Sequence, residues 1–125
     1  MGETVLIRCG ESVGTTYVFG NQRSHTGNGG FFDDGMDGGN IILVSDSVGP
    51  DIRFHDTVGQ KSYRDDGATV QVHSSADDRF VIVTAAHRNY FDVYTFDVLQ
   101  REVAWTSAKI GPFMARSGLM RASCN

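Results

Sequence analysis

Asp33, Asp34 and Asp37 stand close together in a Gly-rich run from Phe31 to Asn40. Hard cations such as calcium take several oxygen ligands from a loop that can wrap them. The run departs from the EF-hand order, which alternates its acids and ends on a distant Glu. A turn built by Asp and Gly, with Phe31 and Phe32 plugging the core, accounts for the same residues without an ion. That turn is the preferred reading, and calcium on Asp33, Asp34 and Asp37 is the weaker one. The whole stretch from Asn21 to Gly39 is polar and Gly-rich, with only Phe31, Phe32 and Met36 apolar in it. It reads as a long loop holding at most one short helical turn. Loops of that length in compact domains are usually functional or mobile. Arg23, His25, Phe31, Phe32, Asp33, Asp34 and Asp37 are therefore the candidates for binding a small molecule or a protein partner.

Other reactive residue types are present without a motif. His25, His55, His73 and His87 show no metal-ligand spacing. His55 and His73 both face outward on strands with another strand between them, which sets them nearly ~10 Å apart, too far for one ion. The serines lack a GxSxG elbow. Asp33-Asp34, Asp65-Asp66 and Asp77-Asp78 are neighbours in sequence, so a strand would point each pair to opposite faces, and each sits at an expected turn. That geometry does not suit paired carboxylate catalysis. No Gly loop leads into a helix to cradle a phosphate. The expectation is no cofactor, no metal and no catalytic residue, with a small hydrolase assembled only in three dimensions as the enzyme alternative.

Cys9 and Cys124 lie at the two ends of the chain, outside any CxxC or Cys/His cluster, so zinc is not expected. Paired, they would enclose nearly the whole chain, a loop worth about 4–5 kcal/mol on chain entropy alone. Unpaired, they would be two buried thiols in a reducing compartment. The bridge requires the first and last strands to be neighbours.

The formal charge is −4, and the nine Arg are scattered singly, so no basic face for nucleic acid is expected. Twelve Asp supply most of the acidity and sit largely beside expected turns. No run approaches the ~20 apolar residues of a membrane helix. Met1-Gly2-Glu3-Thr4 carries no secretory leader ahead of the first strand pattern. The chain reads as an intracellular protein or as one whose leader was removed.

The elements that must position these residues are strands. Thirteen Val against four Leu, with eight Phe and four Tyr, favour a pleated surface over helices. Three Glu and two Lys leave little material for exposed helix faces. Strand patterns run over Thr4–Cys9, with Val5, Ile7 and Cys9 on one face, and over Thr15–Phe19, with Gly10–Gly14 between them as a turn. They continue at 40–45 (a doubly buried run, Ile41 to Val44), 51–56 (Ile52 and Phe54 inward), 60–64, 68–74 (Val70 and Val72 inward), 79–85, 91–98 (Tyr94, Phe96 and Val98 on one face), 102–107 (Val103 and Trp105 inward) and 119–124. Asp65-Asp66-Gly67 is a hairpin signal. Phe113–Met120 admits a single helical turn.

Nine or ten short strands with short links predict one all-β domain over residues 1–125. The expected form is an antiparallel meander closing into a small barrel or sandwich, with little helix. Closure would set the last strand beside the first, and Cys9 near Cys124.

Several short motifs follow one another in order: Cys9-Gly10, Asp34-Gly35-Met36-Asp37-Gly38-Gly39, Arg64-Asp65-Asp66-Gly67-Ala68, Tyr94-Thr95-Phe96, Val103-Ala104-Trp105-Thr106 and Leu119-Met120-Arg121-Ala122-Ser123-Cys124. Together they resemble a group of small exported bacterial proteins built on one β-domain. The resemblance implies a Cys9–Cys124 disulfide and a periplasmic or secreted location, the cytoplasm being the alternative. It brings no activity with it. The combined expectation is a non-catalytic module that binds through the 21–39 loop and the barrel rim. A secreted structural or inhibitory protein that docks on a protein surface is the further alternative.

Overall fold

The structure, a computed structural model, describes residues 3–20, 29–36, 39–55, 59–111 and 115–125. Arg23, His25 and Asp37 lie outside the described residues. The described chain forms ten strands and no helix. These are β1 (Thr4–Val18), β2 (Gly30–Met36), β3 (Asn40–Ser45), β4 (Pro50–His55), β5 (Gln60–Ser62), β6 (Thr69–Ser74), β7 (Phe80–His87), β8 (Tyr90–Asp97), β9 (Glu102–Lys109) and β10 (Arg116–Cys124). They make one antiparallel sheet, ordered β5-β4-β3-β1-β10-β9-β8-β7-β6, curled into a half-barrel. The first and last strands are neighbours, as the meander predicts, and the disulfide joins Cys9 to Cys124 directly across their ladder.

Four local expectations are corrected. Gly10–Gly14 is not a turn, because β1 runs on for 15 residues with a bulge between Cys9 and Ser12. Ladder bonds from both sides outweigh the turn preference of the glycines. β10 lies on one edge of β1, and β3 and then β2 lie on the other. Gly14 serves this close pairing, since a Cβ there would come within 2.3 Å of the Leu119 carbonyl oxygen. The stretch from 21 to 39 is not wholly loop, because Gly30–Met36 forms β2 against Ser12–Val18, with Phe31 opposite Tyr17. Asp and Gly are poor strand formers, but the open edge of β1 supplies a full ladder along one side of β2. Phe31 and Phe32 do not plug the core: they are 75% and 51% exposed. Residues 116–120 belong to β10 rather than to a helical turn.

The Asp65-Asp66-Gly67 signal marks a tight turn, with Gly67 at φ +90° and its N–H donating to the Arg64 carbonyl at 3.0 Å. The flanking strands nevertheless do not pair. β5 joins β4 and β6 joins β7. β4 and β6 come close without a ladder, so the curl stops short of closure.

Period-two patterning sets the core. Ile52, Val83, Tyr94, Phe96, Val103 and Trp105 are buried on the concave face, and Ile41 to Val44 are all buried. Val5 is 48% exposed because the β1–β3 register slips between Val5 and Ile7. Val72 is half-exposed on edge strand β6.

The β3–β4 turn is tied to the turn that follows β5. Asp46 Oδ1 accepts the Val48 and Gly49 N–H groups, and Arg64 donates to Asp46 Oδ2 at 2.7 Å. These bonds, the Arg64 guanidinium foremost, hold the Asp46 carboxyl at about 2. A depressed carboxyl stabilises the fold above its unfolded value near 3.8 and loses that contribution as pH falls through 2. Denaturant midpoints of the wild type and Asp46→Asn should therefore differ by a constant amount from pH 7 to 5 and converge between pH 4 and 2. A gap that ignores pH would contradict this assignment.

Candidate functional site

Register turns alternation into rows across the concave wall. On β8 the inward positions are Tyr90, Asp92, Tyr94 and Phe96. On β9 they are Val103, Trp105, Ser107 and Lys109. On β10 Arg116, Gly118, Met120 and Ala122 continue the same rows. Pairing sets Tyr94 opposite Trp105 and Trp105 opposite Met120. It sets Asp92 opposite Ser107, Tyr90 opposite Lys109, and Lys109 opposite Arg116. The facing wall is β4 and β5 with the turn after them, carrying Phe54, Lys61, Tyr63, Asp65 and Asp66. Between the walls lies an open cavity of about 700 Å³, within the size range of small-molecule sites.

A polar network lies at its base. Tyr63 Oη donates to Asp92 Oδ2 at 2.5 Å, and Ser107 Oγ donates to Asp92 Oδ1 at 2.6 Å. Tyr63 and Tyr94 hydroxyls are 2.7 Å apart. The single Tyr63 proton goes to Asp92, so Tyr94 donates to Tyr63. Burial first, then the neighbouring Tyr94 and Asp92, pushes the Tyr63 phenol far above its ordinary value. Burial does the same to Tyr94. Burial and the hydrogen bond to Asp66 raise Tyr90, whose hydroxyl donates to Asp66 Oδ2 at 2.6 Å. All three phenols therefore stay protonated at neutral pH.

Asp92 is only 8% exposed. Among the described residues each of its oxygens accepts one hydrogen bond, from Tyr63 and from Ser107, which leaves lone pairs for a further donor. Trp105 stacks on Tyr94 with centroids 5.1 Å apart, and Phe54 meets Tyr63 edge-on at 5.0 Å. The aromatic packing fixes the rings whose hydroxyls hold the carboxylate. Such a site can accept a hydroxyl or ammonium group. No histidine is among the described residues lining it, so none of those residues offers Ser107 an imidazole.

Of the residues singled out from the sequence, Phe31, Phe32, Asp33 and Asp34 are described, and none of these four lines the cavity. Adjacent on β2, Asp33 and Asp34 fall on opposite faces. Asp34 accepts from Thr16 Oγ1 at 2.6 Å and from the Gly35 N–H at 2.8 Å, while Asp33 is exposed. No group of three metal-ligating side chains occurs among the described residues. Phe31 packs against Tyr17 on the convex side with centroids 5.0 Å apart, and Tyr17 meets Phe19 at 5.2 Å.

The cavity residues Tyr63, Asp92, Ser107, Lys109 and Arg116 were not candidates on sequence grounds. One signal was available: Asp92 shares the inward parity of Tyr94 and Phe96, and a carboxylate at a core position calls for partners. Comparison with known proteins finds no matching family model, no similar curated protein and no similar solved structure.

Proposed function

We propose that this protein is a binding module that takes one small polar molecule into the concave cavity. The observation that carries this reading is the buried Asp92–Tyr63–Ser107 network opening onto a space of about 700 Å³. Polar groups placed in a core cost stability unless fully partnered. A half-barrel needing only to be filled would have used apolar side chains at these positions. Protonated phenols and a carboxylate without an imidazole favour holding a ligand over hydrolysing one.

Trp105, the sole Trp of the chain, lines the cavity and reports on it by fluorescence. Titration with a panel of monosaccharides, sugar phosphates, amino acids and nucleosides should give a saturable emission change with at least one class. Asp92→Asn should weaken that binding tenfold or more. A panel that leaves Trp105 emission unchanged throughout would remove the reading.

The Cys9–Cys124 bridge suits an oxidising compartment and supports a location outside the cytoplasm, in the periplasm or secreted. The resemblance to small exported bacterial β-domain proteins leads to the same place. A second reading, docking on a protein surface, has one observation in its favour: the exposed Tyr17–Phe19–Phe31 cluster on the convex side of β1 and β2.

A further inference from the structure

We propose that Lys109 and Arg116 form an anion subsite of this cavity, seating a carboxylate or phosphate group of the bound molecule. The inference rests on the reading of the cavity as a ligand site and names the chemistry of the ligand's head. Pairing of β9 with β10 sets Lys109 directly opposite Arg116, and both line the cavity. Like charges opposite one another on a ladder repel, and an anion seated between exposed Lys109 and half-buried Arg116 relieves that repulsion.

No described carboxylate relieves the repulsion. The ion pairs of the described residues engage Arg53, Arg64, Arg79 and Arg121. Of the acids that line the cavity, Asp92 holds Tyr63 and Ser107, and Asp66 holds Tyr90. Asp65 also lines it, without an ion pair to either cation. The Lys109 ammonium is steadied over the Tyr90 ring, 5.8 Å from its centroid. Arg116 is half-buried and offers a planar fork that matches two oxygens of one anion.

The strand repeat fixes what else the molecule must carry. The Tyr90–Lys109–Arg116 row lies two residues along the strands from the Asp92–Ser107 row. Two residues of strand span about 7 Å. The fitting ligand therefore has an anionic head and, roughly 7 Å away, a hydroxyl or ammonium donor for Asp92. Sugar phosphates and sugar acids have that spacing, whereas the α-amino group of an amino acid lies too close to its carboxylate.

The probes are inorganic phosphate, glucose 6-phosphate and glucose, followed at low ionic strength by backbone amide shifts. Phosphate should saturably shift the amides of Tyr90, Lys109 and Arg116. The Lys109→Met/Arg116→Gln double variant should bind it at least tenfold more weakly, and the exposed Arg88→Gln control should be unchanged. Glucose 6-phosphate should bind tighter than phosphate and add shifts at Asp92 and Ser107, an increment that Asp92→Asn abolishes. Phosphate binding that survives the double variant, or that maps away from this row, overturns the subsite. Phosphate bound at the pair with no compound of the panel reaching Asp92 keeps the subsite and overturns the wider reading of the cavity.

Discussion

Replacing Cys9 and Cys124 together by Ser should lower the free energy of unfolding by about 3–4 kcal/mol and the melting temperature by roughly 10–20 °C. The bridge spans a sequence separation of 115 residues. Cutting it restores to the unfolded chain nearly all the freedom that a single cross-link can remove. The native ladder survives the loss. Beyond the bulge, β1 and β10 stay paired from Ser12 opposite Ala122 to Val18 opposite Arg116. The reduced protein should therefore keep its strand spectrum at room temperature and unfold at lower denaturant. It should also show a larger m value, because the released chain expands. Equal midpoints with and without reductant would contradict the stabilising role given to the bridge.

The second large effect belongs to the base of the cavity. Asp92→Ala should cost about 2–3 kcal/mol, since it removes two hydrogen bonds to a carboxylate and leaves the Tyr63 hydroxyl without its acceptor. Tyr63→Phe should cost less, about 1–2 kcal/mol, because water in the open cavity can reach the freed Asp92 oxygen. If the two groups act as one unit, the double variant will fall short of the sum by about 1 kcal/mol or more. Urea unfolding of the four proteins measures this coupling. Strict additivity would mean that the short contact contributes nothing beyond its separate parts.

The strand skeleton was legible because a buried face imposes a period of two. Ile52 and Phe54, Val103 and Trp105, and Tyr94 and Phe96 all declare their side of the sheet in the sequence and keep it in the structure. The nearness of Cys9 to Cys124 followed from counting strands and asking how a meander ends, and the structure joins them. β2 was hidden because its Asp and Gly residues look like turn material, and its pairing depends on an edge of β1 that local patterning does not show. Gly10 to Gly14 misled for the same reason.

The cavity was illegible for another cause. Tyr63, Asp92, Ser107 and Arg116 are separated in the chain, and only the register of two ladders and the inward path of Tyr63 bring them together. Local density of polar residues drew attention to 31–40 instead, where the strand separates Asp33 from Asp34.

The position of β1 in the middle of the sheet governs when the protein can fold. Of the ten strands a ribosome makes β1 before the others, and makes its partner β10 more than a hundred residues later. Until β10 emerges, one edge of β1 has nothing native to bind, and the meander from β6 to β9 has no seam to join. Native assembly is thus a late event with a high contact order, and it should be slow for a chain of this length. A nascent chain ordered this way stays open until β10 has been made, and an open chain is the form in which a polypeptide can be threaded across a membrane before it folds.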